Sequence, residues 1–392
     1  MEVQRGATMR IIFKLTFIVF GLGLIAFMLF LDSQPEQFIT QEQPEESPTI
    51  GDDEPSYIEE NEEATGEEPE EKIMKEVEQV ESEEVIADSQ DGLSDGETVE
   101  IEHANPFHTL IGEASDELVS LYGEPDRVEP SQYGYEWFVW NRDDLYLQAG
   151  IQGGSIVTIY TNLPNNQTEP FEIGESYDHL ASTWNFEREI TITNDYQFNL
   201  SPKEIRTNPI IEVDGVWVQL YIDTFDQELS SIRYIDGDTV VLHQPYSLIY
   251  KGSLPEKPTL TESEWEQVEK GMARQVFDLT NHFRQKHGLD PLDWDEDTSA
   301  VAFGHSKDMR DNAYFSHHSP THGDLGERLT NGGVQYQRAA ENIAARYVDA
   351  GAAMEGWLNS EGHRVNLMNE DLTHLGVGVH RDFYTQNFMT PW

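Results

Sequence analysis

Cysteine is absent from the 392 residues, so no disulfide can form, no cysteine nucleophile exists, and the folded parts must hold together through their own cores. Basic residues are scarce as well: 24 Lys and Arg stand against 74 Asp and Glu, a formal net charge of −50. Because like charges repel phosphate, that balance excludes nucleic acid and anionic lipid as natural partners. Long apolar runs are few. The outstanding one covers residues 11–31 and is interrupted only by Lys14 and Thr16. Roughly 20 such residues cross a bilayer's hydrocarbon core. Arg5, Arg10 and Lys14 precede or begin the run and acids follow it, which places the N-terminus in the cytoplasm and everything after Asp32 outside. The run closes on Phe-Met-Leu-Phe-Leu-Asp, without the small-x-small site of a signal peptidase, so it reads as a retained anchor over 1–31, a cleaved signal peptide being the competing reading.

The length suits two or three domains. Residues 32–104 carry about half of the net charge, with Lys72 and Lys75 as the only Lys or Arg and few aromatics. A chain of that kind cannot bury enough apolar surface to offset its ordering entropy, and it is expected to be a disordered, extended stalk. Binding of cations or of a basic wall component is the functional alternative to a solvated spacer.

From 105 to 250 the composition turns globular. Ile111-Gly112-Glu113-Ala114-Ser115-Asp116-Glu117-Leu118 recurs as Ile173-Gly174-Glu175-Ser176-Tyr177-Asp178-His179-Leu180, and strand-like sequence follows each copy. Asn141-Arg142-Asp143-Asp144 and Gly153-Gly154 read as hairpin connections. The pattern predicts a short helix plus an antiparallel sheet, occurring twice. Tyr135, Trp137 and Trp140 fall near strand spacing, as core or as a ligand-stacking face. Residues 251–264, with Pro255 and Pro258, read as a linker between two folded regions.

At the end of that linker, Thr261-Glu262-Ser263-Glu264 has the capping-box pattern. Trp265, Val268, Met272, Val276, Leu279 and Phe283 then recur at helical spacing until Gly288. Further helices are expected over 298–312, 324–330 and 349–359, and strands over 375–380 and 383–388. Nine of the thirteen histidines lie at or after His282, so a polar site belongs here.

The pieces Tyr314-Phe315-Ser316-His317, Ala340-Glu341-Asn342-Ile343, Trp357-Leu358-Asn359-Ser360-Glu361-Gly362-His363-Arg364-Val365-Asn366 and Leu375-Gly376-Val377-Gly378-Val379 come in the order of the CAP superfamily (cysteine-rich secretory, antigen 5 and pathogenesis-related proteins), and 265–392 resembles its bacterial branch. Gly123-Glu124-Pro125-Asp126-Arg127 and Ser131-Gln132-Tyr133-Gly134-Tyr135-Glu136-Trp137 resemble the CAP-associated N-terminal domain of Gram-positive bacteria. The resemblance implies an α+β protein whose C-terminal domain is an α/β/α sandwich. It also implies a cleft with two His and two Glu. The first histidine falls on His317, with His318 as the adjacent contender, the first glutamate on Glu341 and the second histidine on His363. Ser360 occupies the place of the second glutamate, and Glu361 and Glu355 are its nearest carboxylates. His305 is expected to be a packed structural histidine.

His317, Glu341 and His363 converging would make a three-ligand site for a divalent metal such as zinc, calcium or magnesium, and with Glu361 they are the expected ligand-binding set. A hydrogen-bonded polar cleft without metal is the alternative. Function is expected to be binding of a small ligand, lipid or cell-wall component by an extracellular domain attached through the membrane helix, with metal-assisted hydrolysis of peptide or wall material as the alternative.

Overall fold

The computed structural model describes residues 39–41, 56–59 and 105–392, except 143 and 165. Among them no helix is long and apolar enough to cross a membrane, and the expected anchor lies outside the described residues. The acidic stalk contributes two short strands, β1 (Ile39–Gln41) and β2 (Ser56–Glu59). The expectation of a spacer without any fold is corrected at these two points; the rest of 32–104 lies outside the described residues. Each strand pairs with what would otherwise be the edge of a sheet, where unpaired backbone groups accept a partner whatever its charge.

The first domain runs α1 (Phe107–Leu110), α2 (Asp116–Tyr122), β3 (Arg127–Pro130), β4 (Glu136–Arg142), β5 (Leu145–Gln152), β6 (Ser155–Thr161), α3 (Tyr177–Thr183), β7 (Glu189–Thr193), β8 (Tyr196–Asn199), α4 (Pro202–Thr207), β9 (Ile210–Val213), β10 (Val216–Asp223), β11 (Glu228–Ile235), α5 (Gly237–His243) and β12 (Ser247–Tyr250). A seven-stranded antiparallel sheet has the order β3-β4-β5-β6-β11-β10-β9, and β1, β12, β8 and β7 form a second, smaller one. The internal repeat is visible at the centre of the large sheet, where β6 of the first copy pairs with β11 of the second. Gly112 N donates to Ile156 O and Gly174 N to Leu229 O, both at 2.8 Å. Both glycines have φ of 91°, a conformation that any side chain would strain, which is why each copy needs glycine there.

The large sheet is covered on both faces. Trp140, Leu147, Ile159 and Leu220 pack under the domain's own helices. Tyr133, Tyr135, Trp137 and Val139 face the other way and join one continuous core with Val268, Met272, Val276 and Trp357 of the second domain. The aromatic stripe is therefore buried core and not a stacking platform.

The second domain runs α6 (Glu262–Lys286), β13 (Asp293–Trp294), α7 (Glu296–Asp311), α8 (Leu325–Asn331), β14 (Tyr336–Ala345), α9 (Ala350–Leu358), α10 (Glu361–Leu367), β15 (His374–His380) and β16 (Phe383–Pro391). The capping box forms as predicted: Glu264 N donates to Thr261 Oγ1 at 3.3 Å and Thr261 N to Glu264 Oε2 at 2.7 Å. Its sheet has the order β13-β15-β16-β14-β2. α6 and α9 cover one face through Val276, Leu279, Met354 and Trp357 on Ala340, Val377 and Tyr384. α7 and α8 cover the other, with Leu325 and Leu329 on Ala339 and Met389, and Met309 on Ile343. These layers are the α/β/α sandwich. Gly376 and Gly378 of β15 let α7 lie directly on the strand, since a Cβ at either would collide with backbone atoms of Thr298, Ser299, Ala302 or Phe303.

The linker does not separate two independent cores. Arg233 holds Asp349 through two bonds of 2.5 and 2.8 Å, with both side chains buried. Glu355 is buried between the domains, where Ser230, Ser231 and Tyr160 donate to it.

Candidate functional site

Three segments of the second domain converge on Glu341. It lies in mid-β14, and because side chains alternate along a strand it faces the α7/α8 side with Ala339 and Ile343. His317 arrives on the loop after α7. Asp308 shapes that loop by accepting from Tyr314 Oη at 2.5 Å, Ser319 Oγ at 2.6 Å and Asn312 Nδ2 at 2.7 Å. Arg328 of α8 closes it by donating to His317 O at 2.7 Å and Gly323 O at 2.9 Å.

The Glu341 carboxylate is fully engaged. His317 Nδ1 stands 2.9 Å from Oε1, Arg328 Nη2 donates to Oε2 at 2.5 Å, and His305 Nε2 lies 3.9 Å from Oε1. Burial alone would raise the carboxyl's pKa, but the His317 bond and the His305 and Arg328 charges outweigh it and bring the group to about 2. His305 is buried and donates from Nε2 to Ser316 O at 3.0 Å; burial, set against Glu341, lowers it to about 4. It is packed as expected, yet it also forms the floor beneath Glu341. Beside it, Asn387 sits opposite Glu341 in register, and neither its side-chain amide nor His305 Nδ1 has a hydrogen-bond partner among the described residues.

His363 comes from α10. Ser360 stands at that helix's N-cap but makes no capping bond; its Oγ lies 2.8 Å from His363 Nδ1 instead. Burial, then the nearby His317 charge, lowers His363 to about 4. The remaining motif residues tie α9 and α10 to β14: Asn342 Nδ2 donates to His363 O at 3.2 Å, Asn366 Nδ2 to Glu341 O at 3.2 Å, and, from α9, Trp357 Nε1 to Ile343 O at 2.9 Å.

Of the predicted residues, His317 and Glu341 are bonded to each other and His363 neighbours His317. Glu361 is not brought in: it is exposed on the first turn of α10, outside these contacts. Glu355 points into the domain interface, where burial raises it to about 7 against the Ser231 and Ser230 bonds. His318 is exposed and outside the cluster. The place of the second glutamate is thus taken by Ser360, which is bonded to His363. The sequence does not single out Arg328 or Asn387, and it points to His305 only as packing, because the three meet Glu341 only through the layering of α7, α8 and β16 on β14.

The ligand atoms of His317, Glu341 and His363 do not all lie within 4.8 Å of one another, and both oxygens of Glu341 are already bonded. What the site offers is two imidazoles whose Nδ1 atoms are held from behind and whose Nε2 atoms make no bond among the described residues. A ring held at one nitrogen by a carboxylate is the usual state of a metal-ligating histidine, so the donor set fits two imidazole ligands with Glu341 and Ser360 behind them. One other trio, Asp223, Asp226 and His287, has ligand atoms within 4.8 Å, and the Arg364 guanidinium already lies among them.

The family model described as CAP-associated N-terminal matches residues 111–246, and that of the cysteine-rich secretory protein family matches 277–390. A Bacillus subtilis protein named "Uncharacterized membrane protein YlbC" is 44% identical over 288 residues, 72% of this chain and 83% of that protein. The crystal structure of an extracellular protein containing a SCP domain from Bacillus anthracis is similar at 43% identity and a TM-score of 0.70, covering 78% of this chain and 100% of that one. A cysteine-rich secretory protein from Staphylococcus aureus shares the fold at 23% identity and a TM-score of 0.65, over 73% of this chain and 94% of that one. Repeat, sandwich and cleft motifs agree with these matches, and the chain belongs to the bacterial CAP superfamily, with a CAP-associated N-terminal domain ahead of its CAP domain.

Proposed function

We propose that this chain is an envelope protein, attached through residues 11–31 and facing outward, whose CAP domain binds a small ligand, a lipid or a cell-wall component at the His317–His363 cleft. The observation that carries the reading is the pair of imidazoles held at Nδ1 by Glu341 and Ser360, with Nε2 unbonded on each. Such rings present a lone pair or an N–H to a ligand without having to reorient. The name of the Bacillus subtilis relative and the description of the Bacillus anthracis protein support a membrane-attached, extracellular setting.

A divalent metal would be held by His317 and His363 through Nε2, and as a Lewis acid it would polarise an oxygen of the bound ligand. Glu341 keeps the His317 ring in place and carries no ligand role of its own. Hydrolysis by a serine would need an activated hydroxyl. Ser319 is bonded to Asp308, Ser316 accepts from His318 N, and Ser360 pairs with His363 Nδ1. Binding is therefore the reading we propose.

Calorimetry with zinc on the purified full chain in detergent at pH 7.5 tests it. Heat that disappears in both His317→Ala and His363→Ala supports the paired-imidazole site, and no heat with zinc, calcium or magnesium would remove the metal and leave a polar cleft. Protease applied to intact protoplasts should digest the CAP domain while an N-terminal fragment stays with the membrane; soluble protein beginning near Asp32 would overturn the anchor.

A further inference from the structure

The helix that carries His363 has seven residues and an uncapped start, too little to hold a position by itself. Two residues bracketing the Ser360–His363 pair, Asn359 and Arg364, reach across to the first domain. Thr224 N and Oγ1 donate to Asn359 Oδ1 at 2.8 and 2.7 Å, and Asn359 Nδ2 donates back to Ile222 O at 2.8 Å. Arg364 donates from Nη1 to Asp223 Oδ2 at 2.7 Å and from Nη2 to Asp226 Oδ2 at 3.0 Å, with its guanidinium 5.0 Å from the centre of the Phe225 ring. All these groups belong to the tip of the β10–β11 hairpin.

The tip is built before it meets the helix. Asp223 is fully buried, and its Oδ1 accepts from Phe225 N at 3.0 Å and Asp226 N at 3.2 Å, which shapes the turn while Oδ2 is left for Arg364. A guanidinium shared between two carboxylates and an amide bonded in both directions make a directional grip, not a greasy contact that could slide.

We propose that this hairpin is the positioning element of the cleft: the CAP-associated domain sets where α10, and with it the His363 ring, stands relative to His317. The two domains then act as one binding unit. The inference goes beyond ligand binding, because it gives the associated domain a role that its own surface does not display.

The test uses the full chain with Asp223→Asn and Thr224→Ala, and with Asp226→Asn as the milder variant because Asp226 is partly exposed. Arg127→Gln is the control, since Arg127 pairs with Glu129 and Asp278 elsewhere on the same interface. Imidazole ¹⁵N shifts report the tautomer of His363, and amide hydrogen exchange reports the order of 361–367. The hairpin variants should move the His363 signals and speed exchange in α10 by roughly tenfold or more, while α6 and the control stay as in the parent. Hairpin variants that melt cooperatively and keep the parent His363 signals and α10 exchange would overturn the proposal, as would an equal disturbance of α10 by Arg127→Gln. The readout is the ring itself, so it does not depend on whether zinc or anything else binds.

Discussion

His317 Nδ1 lies 2.9 Å from Glu341 Oε1, and because an ionised carboxylate can only accept, that nitrogen must carry the proton. In its neutral form the ring is thereby held with Nε2 unprotonated. Glu341→Gln would keep the shape but surrender the charge that Arg328 and His317 are built around. The variant should lose about 3 kcal/mol of stability, since the Arg328 guanidinium is left buried without a counter-charge. Chemical denaturation at pH 7 measures it, and the His317 ¹⁵N signals should show both tautomers.

Acid should destabilise the cleft in two stages. His305 and His363 have folded pKa values near 4, below the ordinary 6.5, so the unfolded chain takes up their protons first and their contribution falls between pH 6.5 and 4. Glu341, held near 2, contributes stability that is present above about 4.5 and lost as pH falls through 2. Comparing denaturation from pH 7 to 3 in the parent and in Glu341→Gln should show the lower stage vanish from the variant and the upper stage persist.

Glu355 works with the opposite sign. Its carboxyl is raised to about 7 by burial, so ionising it costs stability above pH 4.5, up to about 3 kcal/mol by pH 8. Glu355→Gln can still accept from Ser230 and Ser231. It should raise the melting temperature at pH 8 and leave it nearly unchanged at pH 4.5; an equal effect at both values would contradict a titrating carboxyl.

The Arg233–Asp349 pair joins the domains inside the shared core. Arg233→Met strands Asp349 and should cost about 3–5 kcal/mol, whereas adding Asp349→Asn removes the orphaned charge and keeps an oxygen to cap α9, so the double variant should recover at least about half. Urea denaturation of the two variants checks it.

Gly378→Ala should cost about 3 kcal/mol or more, because the new methyl group meets the backbone of Ala302 and Phe303 and pushes α7 off the sheet. Gly304, on the same helix, has nothing within 4 Å of an added Cβ. Gly304→Ala should stabilise by about 0.5–1 kcal/mol, and thermal melts of the pair would separate helix propensity from packing.

Local rules carried much of the fold. The capping box at Thr261, the hairpin glycines 153 and 154, the repeat at Gly112 and Gly174 and the helical periodicity of α6 depend on residues close in the chain, and each stands where its pattern placed it. The order of the CAP motifs likewise brought His317 and Glu341 into one site. What the sequence could not determine was the use of each charged group, because that depends on which layer lies above it. Glu355 and Glu361 both lie within five residues of Ser360, which stands in the second glutamate's place, yet one is buried against Ser230 and Ser231 of another domain and the other is in water. Glu341 reads as a ligand from its motif and is an ion-pair partner only because α8 delivers Arg328. Hydrophobic spacing and turn chemistry are written locally. The pairing of buried charges is decided across layers, by contacts between residues far apart in the chain, and only the tertiary structure contains it.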